Sequence, residues 1–207
     1  ALHQPPEGTS LETLVMRRTP WHKRLIYGEL LCLQCALLSD KLTESRQESL
    51  SVTLESTLGS WAERLFSFEL TGAQKRVLGL LEKDLAKQVG MNRLLQGDVG
   101  SGKTAVAFSV AAAVADAGYQ VALMAPTEIL AEQHFRSALK ALVPVGIKVG
   151  LLTGSLSATE SRQTLAAIAD GSIQVVLGTH ALIQDKVVFK GLALAIVDEQ
   201  HRFGVLQ

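Results

Sequence analysis

The run Gly97-Asp98-Val99-Gly100-Ser101-Gly102-Lys103-Thr104 carries the strongest chemical signal in the chain. It fits G-x-x-x-x-G-K-[ST] and falls between a β-rich run and a helical pattern, the setting that gives the pattern meaning. Glycines let the backbone turn successive N–H groups inward on an anion, and a helix start adds partial positive charge there. Lys103 brings an ammonium to the β and γ phosphates of a nucleotide, and the Thr104 hydroxyl is a ligand for Mg2+. The alternative, a glycine-rich turn with no ligand, is disfavoured by the strand–loop–helix setting. A guanine-reading Asn-Lys-x-Asp is absent from the sequence, so the expected nucleotide is ATP rather than GTP.

A second signal closes the site. Leu192–Val197 reads as a buried core strand, and it ends in Asp198-Glu199-Gln200-His201. Two adjacent carboxylates at the end of such a strand are costly without a task. Asp198 suits a Mg2+ held through its water shell, and Glu199 suits orienting and deprotonating an attacking water. The competing reading is an acidic pair that caps a new helix. Gln74 has two roles open to it. With Thr71 it fits a capping box, and its amide could also donate to and accept from an adenine edge.

These residues need a scaffold, and the sequence supplies a pattern for one. Short β-rich runs lie at Arg93–Gln96, Val121–Ala125, Lys148–Leu152, Gln174–Leu177 and Leu194–Val197. Helical patterns alternate with them near 103–117, 128–142 and 158–170, with a shorter one near 180–185. Thr71-Gly72-Ala73-Gln74 opens a further helix carrying Val77, Leu78, Leu81 and Leu85. Apolar strands separated by helices predict an α/β domain whose parallel sheet is covered on both faces. Residues 1 to about 60 read instead as helical, without sheet signals. There Thr19 caps a helix with Pro20 in its first position, and Trp21, Leu25, Gly28, Leu31, Cys32, Cys35, Leu38 and Leu42 share one side. Arg17, Arg18, Lys23 and Arg24 cluster near its start, as a solvated helix end or as phosphate contacts.

Bulk properties set bounds on this scheme. The 207 residues, 47% apolar and 19% charged, fit one α/β domain with a smaller appendage and exclude a disordered chain. A formal net charge of zero argues against a large autonomous nucleic-acid surface while leaving room for local contacts. No apolar run reaches membrane-spanning length, and the first residues lack a signal-peptide pattern, so no membrane partner is expected. The chain does not begin with Met, which suggests a fragment. Cys32 and Cys35 cannot complete a zinc site by themselves and read as buried free thiols on an apolar helix face, in a reducing compartment.

With both signals in place, the chain resembles a superfamily 2 helicase and, more closely, the RecG family of branched-DNA translocases. Phe68-Glu69-Leu70-Thr71-Gly72-Ala73-Gln74 is similar to that family's adenine-reading motif, and Leu95 to Thr104 resembles its motif I. Met124 to His134 resembles motif Ia, and Gly178-Thr179-His180-Ala181-Leu182-Ile183 and Val197 to Val205 resemble the later motifs. Residues 20–31 are similar, more loosely, to the long helix that joins the family's junction-binding domain to its motor. The transcription-repair coupling translocases share much of this set and rank second, being less like the chain around Phe68–Gln74.

The resemblance implies a RecA-like first motor lobe over residues 61–207, preceded by a helical linker segment at 1–60. It implies nucleotide contacts from Phe68, Leu70, Thr71, Gln74 and the Gly97–Thr104 loop, with Lys103 and Glu199 catalytic and Thr104 and Asp198 toward Mg2+. Pro126, Thr127, Glu128, Gly154, Gly178, Thr179 and His180 would touch a DNA backbone, through N–H groups and hydroxyls that a neutral chain can provide. Gln200, His201 and Arg202 would couple nucleotide state to DNA grip. Structural roles compete at Thr127, which reads equally as a helix N-cap, and at His201, as a satisfied domain-edge histidine. The implied partners are branched DNA, a second motor lobe and a junction-binding domain of the same protein, in the cytoplasm at the bacterial nucleoid. Neither further domain is found in the sequence, so the chain alone is expected to bind Mg-ATP weakly and to hydrolyse it hardly at all.

Overall fold

The computed structural model describes residues 6–44 and 49–199. It divides into two compact units, Ala1–Glu48 and Ser49–Gln207.

The first unit contains the short helix α1 (Leu11–Val15) and the long helix α2 (Pro20–Glu44). Proline in the first turn of α2 loses no hydrogen bond, because the N–H it lacks would have had no helical partner. Thr19 caps the helix: its hydroxyl accepts the His22 N–H at 3.3 Å. Apolar residues surround α2 on every side. Leu25, Ile26, Tyr27, Leu30, Leu31, Leu33, Leu37 and Leu38 are all exposed within this unit. Cys32 and Cys35 are exposed as well, so the expectation of buried thiols is corrected. The reason is physical: the helix buries no single stripe within its own unit, and apolar spacing alone does not supply a covering surface.

The second unit is a four-stranded parallel sheet flanked by helices. Its elements are α3 (Leu58–Leu65), α4 (Gly72–Leu85), α5 (Lys103–Asp116), β1 (Gln120–Met124), α6 (Glu128–Leu142), β2 (Val149–Leu152), α7 (Ala158–Ala169), β3 (Val175–Gly178) and β4 (Leu192–Val197). Single 3-10 turns cover Val143–Val145 and His180–Ile183. The strand order is β2-β3-β1-β4, and every pairing is parallel.

Side chains of β1 and β3 alternate between two cores. Val121, Leu123, Val175 and Leu177 join the larger core with Leu58, Trp61, Phe108, Ala112 and Leu142. Ala122 and Val176 face the other way, onto Leu152, Ile168 and Leu182. The sheet is thus covered on both faces, as continuous apolar strands demand. Helix α5 is buried along most of its length, from Ala105 to Ala115. Its alanines bring it close to α3 on one side and to β1 and β4 on the other. Gln120 is a polar residue at the buried start of β1, only 4% exposed. Its amide donates to the Ile168 and Ile173 carbonyls and accepts the N–H groups of Lys190 and Gly191, which ties three chain segments to one strand end.

Two sequence expectations are revised. Arg93–Gln96 is not a strand: it has no ladder partner among the described residues, and a β-rich composition forms no strand without one. Leu192–Val197 is a strand but not a core one. It pairs with β1 alone among the described residues, and only Leu194 of the six is buried. The two compact units divide at Glu48/Ser49, and Val52, Leu58 and Trp61 pack into the larger core of the second. There the Val52 N–H donates to the Leu85 carbonyl at the end of α4.

Candidate functional site

Parallel pairing fixes where the strands end. Met124 is in register with Gly178 and with Val197, and Gly178 with Leu152. One rung of the sheet therefore closes all four strands, and the residues that follow emerge along its carboxyl edge. These are Ala125-Pro126-Thr127, Thr153-Gly154, Thr179-His180 and Asp198-Glu199. Ligands of open α/β sheets bind outside that edge.

The glycine loop enters α5 through a left-handed residue. Gly102 has φ 81°, which L side chains adopt at a cost of about 1–2 kcal/mol. A Cβ there would also fall on the Gln74 amide nitrogen. The Lys103 ammonium turns back over the loop and donates to the Gly97 carbonyl at 2.7 Å and the Asp98 carbonyl at 2.9 Å. Val99 at the loop tip is fully exposed, and Thr104 in the first helical turn is exposed.

Gln74 is drawn into the loop from the other side. The capping box at the start of α4 is present: the Gln74 side chain accepts the Thr71 N–H at 2.8 Å, and the Thr71 hydroxyl accepts the Gln74 N–H at 3.3 Å. The remaining amide N–H donates to the Ser101 carbonyl at 2.9 Å. One side chain thus fastens the α4 start to the glycine loop. Phe68 is half exposed and stacks on Phe66 with ring centroids 5.2 Å apart. Leu70, in contrast, is buried in the larger core.

The carboxyl edge of the sheet has its own bonds. Thr127 caps α6, its hydroxyl accepting the Leu130 N–H at 3.3 Å, so the structural role read from the sequence is present. Glu128 Oε1 accepts the Ser155 N–H at 3.0 Å, which joins the start of α6 to the loop around Gly154. Gly178 is required by close approach: a Cβ would run into the Leu152 carbonyl and lie 2.9 Å from Leu182. Thr179 is buried, His180 exposed, and Pro126 half-buried.

Asp198 continues the β4–β1 ladder, its N–H donating to the Met124 carbonyl at 2.9 Å. Its carboxylate oxygen Oδ2 lies 2.7 Å from His134 Nε2 on α6. Glu199 has φ 52°, a left-handed conformation that is strained for a non-glycine residue and that turns the chain sharply after Asp198. The glycine loop and the Asp198 end are connected through α5, which packs on both β1 and β4. Gln200, His201 and Arg202 lie outside the described residues. Two contributors escaped sequence reasoning. His134 closes the run that resembles motif Ia, but it bonds a residue 64 positions away, so nothing local marks its partner. Gln120 left one signal, a lone polar residue beginning an apolar run.

Comparisons with known proteins agree with this architecture. The DEAD/DEAH box helicase profile matches residues 71–207. The ATP-dependent DNA helicase RecG of Aquifex aeolicus is 46% identical over 206 residues, covering 100% of this chain and 26% of the relative. RecG of Escherichia coli strain K12 is 44% identical over 206 residues, covering 100% of this chain and 30% of that protein. A solved structure of RecG bound to a three-way DNA junction superposes with a TM-score of 0.82 at 36% identity, covering 100% of this chain and 31% of the other. The chain therefore spans less than a third of the length of the relatives it matches. The profile match over most of the second unit, on a parallel sheet with a glycine loop at the start of a buried helix, shows that the chain belongs to the DEAD/DEAH box helicase family.

Proposed function

We propose that this chain is the nucleotide-binding lobe of an ATP-driven translocase that acts on branched DNA. The observation that carries the reading is the Lys103 ammonium. It is poised at the mouth of a glycine loop on two neutral carbonyls, Gly97 and Asp98, which a triphosphate can replace with charged oxygens. Gly97, Asp98, Val99, Gly100, Ser101, Gly102 and Lys103 surround the phosphates in this reading. Gln74, through its link to Ser101, joins the loop to the adenine side together with the Phe66–Phe68 stack.

The donor set fits a hard divalent cation beside the nucleotide: Thr104 offers a hydroxyl and Asp198 a carboxylate, both oxygen ligands. Among the described residues no three His, Cys, Asp or Glu side chains converge into a metal site. Thr104 would hold a Mg2+ directly and Asp198 through the ion's water shell, and the bound ion would offset charge on the phosphates. Glu199, on its turned backbone, orients and deprotonates the attacking water. The loops at Pro126–Glu128, Gly154 and Gly178–His180 face the DNA backbone, and Gln200, His201 and Arg202 relay between the two ligands. A second lobe supplies an arginine to the transferring phosphoryl group, worth about a thousandfold or more in rate, and a separate domain grips the junction. Among the described residues no helix is long and apolar enough to cross a membrane. A DNA substrate puts the site of action in the bacterial cytoplasm, at the nucleoid.

The test compares the isolated chain with the complete protein. The isolated chain is expected to bind Mg-ATP weakly, to prefer it over Mg-GTP, and to hydrolyse it hardly at all. The complete protein is expected to hydrolyse ATP rapidly when three-way or four-way DNA junctions are added. Robust DNA-stimulated hydrolysis by the isolated chain, or equal binding of GTP, contradicts the reading. Stimulation by linear duplex as strong as by junctions favours the coupling-factor type of translocase instead.

A further inference from the structure

Helix α6 touches both sides of the proposed site. At its start, Glu128 Oε1 accepts the Ser155 N–H, fixing the helix to the loop after β2. Six residues on, or about 9 Å along the axis, His134 Nε2 donates to Asp198 Oδ2 at 2.7 Å. An ionised carboxylate only accepts, so the shared proton belongs to the imidazole. The His134 side chain is 16% exposed and that of Asp198 35%. Among the described residues His134 is the one hydrogen-bond partner seen for this carboxylate, and it holds Oδ2.

We propose that His134 is a positioning residue. It ties the Asp198 carboxylate to α6, so that the loops turned toward DNA and the carboxylate turned toward the nucleotide's cation shift together. This rests on Asp198 as the metal-side carboxylate and on the α6 start as DNA-facing. The physics is that of an outer-sphere partner: a hydrogen bond to one oxygen selects a single carboxylate orientation for the other. A packed helix then passes a displacement at its first turn to the second, because close-packed interiors do not absorb it. Neither residue type nor spacing in the chain marks the pair. Only the fold places α6 beside the end of β4.

The experiment uses the complete protein with His134→Ala, His134→Gln and Asp198→Asn. Two quantities are read: the Mn2+ concentration that half-saturates binding of a fluorescent non-hydrolysable ATP analogue, and the ratio of ATP hydrolysis with junction DNA to that without. His134→Ala is expected to raise the Mn2+ midpoint about tenfold or more and to lower the DNA ratio by a similar factor. Analogue affinity in EDTA should stay unchanged, which shows that the fold is intact. His134→Gln, whose amide nitrogen reaches about as far as Nε2, should recover most of both. An unchanged midpoint and ratio in His134→Ala, with Asp198→Asn shifted, overturns the inference alone. An unshifted midpoint in Asp198→Asn removes the metal assignment, and the inference falls with it.

Discussion

Gln120→Leu gives the sharpest test of how this scaffold is held. The glutamine is 4% exposed and makes four hydrogen bonds, two to each end of its amide. Leucine is of similar volume and removes all four. The Ile168 carbonyl keeps a partner, since it also accepts the Gly171 N–H at 3.2 Å. The Ile173 carbonyl and the N–H groups of Lys190 and Gly191 lose the only partners they have among the described residues. A buried polar group left unsatisfied costs about 1–3 kcal/mol. These three are only partly buried, so about 1 kcal/mol each is appropriate, a loss of about 3 kcal/mol before any gain. Burying a more apolar side chain returns about 1 kcal/mol, which leaves a net loss of about 2 kcal/mol. With a urea slope of about 2 kcal/mol/M, the unfolding midpoint should fall by about 1 M with an unchanged slope. Nucleotide affinity of the folded protein should not move, because Gln120 begins β1 while the site lies past its other end. A midpoint shift well under 0.5 M, on the same slope, would mean that water replaces the amide at no net cost, and the reasoning would fail.

Further outcomes follow from other residues. Lys103→Ala should abolish hydrolysis in the complete protein and weaken nucleotide binding about tenfold or more, as one charge-assisted contact is worth about 1.5–3 kcal/mol; near-normal turnover would contradict its role. Gly102→Ala should remove nucleotide binding and lower stability by about 1–2 kcal/mol, because its φ is 81° and a methyl group would displace Gln74 from the loop; titration of an ATP analogue and thermal melts check both. Asp84 accepts hydrogen bonds from Arg93 at 2.6 Å and Lys87 at 2.7 Å, and these partners, Arg93 foremost, hold its carboxyl below the usual carboxylate value of 3.8. A lowered folded-state pKa stabilises above the unfolded value and loses that contribution as pH falls through the folded one. Asp84→Asn should therefore cost about 1 kcal/mol at neutral pH, given how exposed both partners are. The gap between variant and parent should close in urea titrations carried below pH 3.8.

Local chemistry was legible because it depends on neighbours in sequence. The glycines before Lys103, the capping box of Thr71 with Gln74, the Thr127 cap and the proline at the start of α2 all concern groups within a few residues of one another. The same holds for a missed signal, Ser157 with Glu160, which forms a second capping box at α7. Apolar runs located the strands to within a residue or two wherever a partner strand exists. They misjudged Arg93–Gln96 and the burial of β4, since burial and pairing belong to the neighbours a strand acquires and not to its own composition.

What the sequence determined by itself was therefore the glycine loop at the start of α5, the caps, the alternation of strands with helices and the place of the acidic pair at a strand end. Tertiary structure alone decided the rest: the order β2-β3-β1-β4, the rung that ends four strands together, the reach of Gln74 to Ser101 and the bond from His134 to Asp198. The reason is one of range. Hydrogen bonding and backbone preference act over a turn or two of chain, whereas these meetings join residues 27 and 64 positions apart and exist only once burial has folded the sheet.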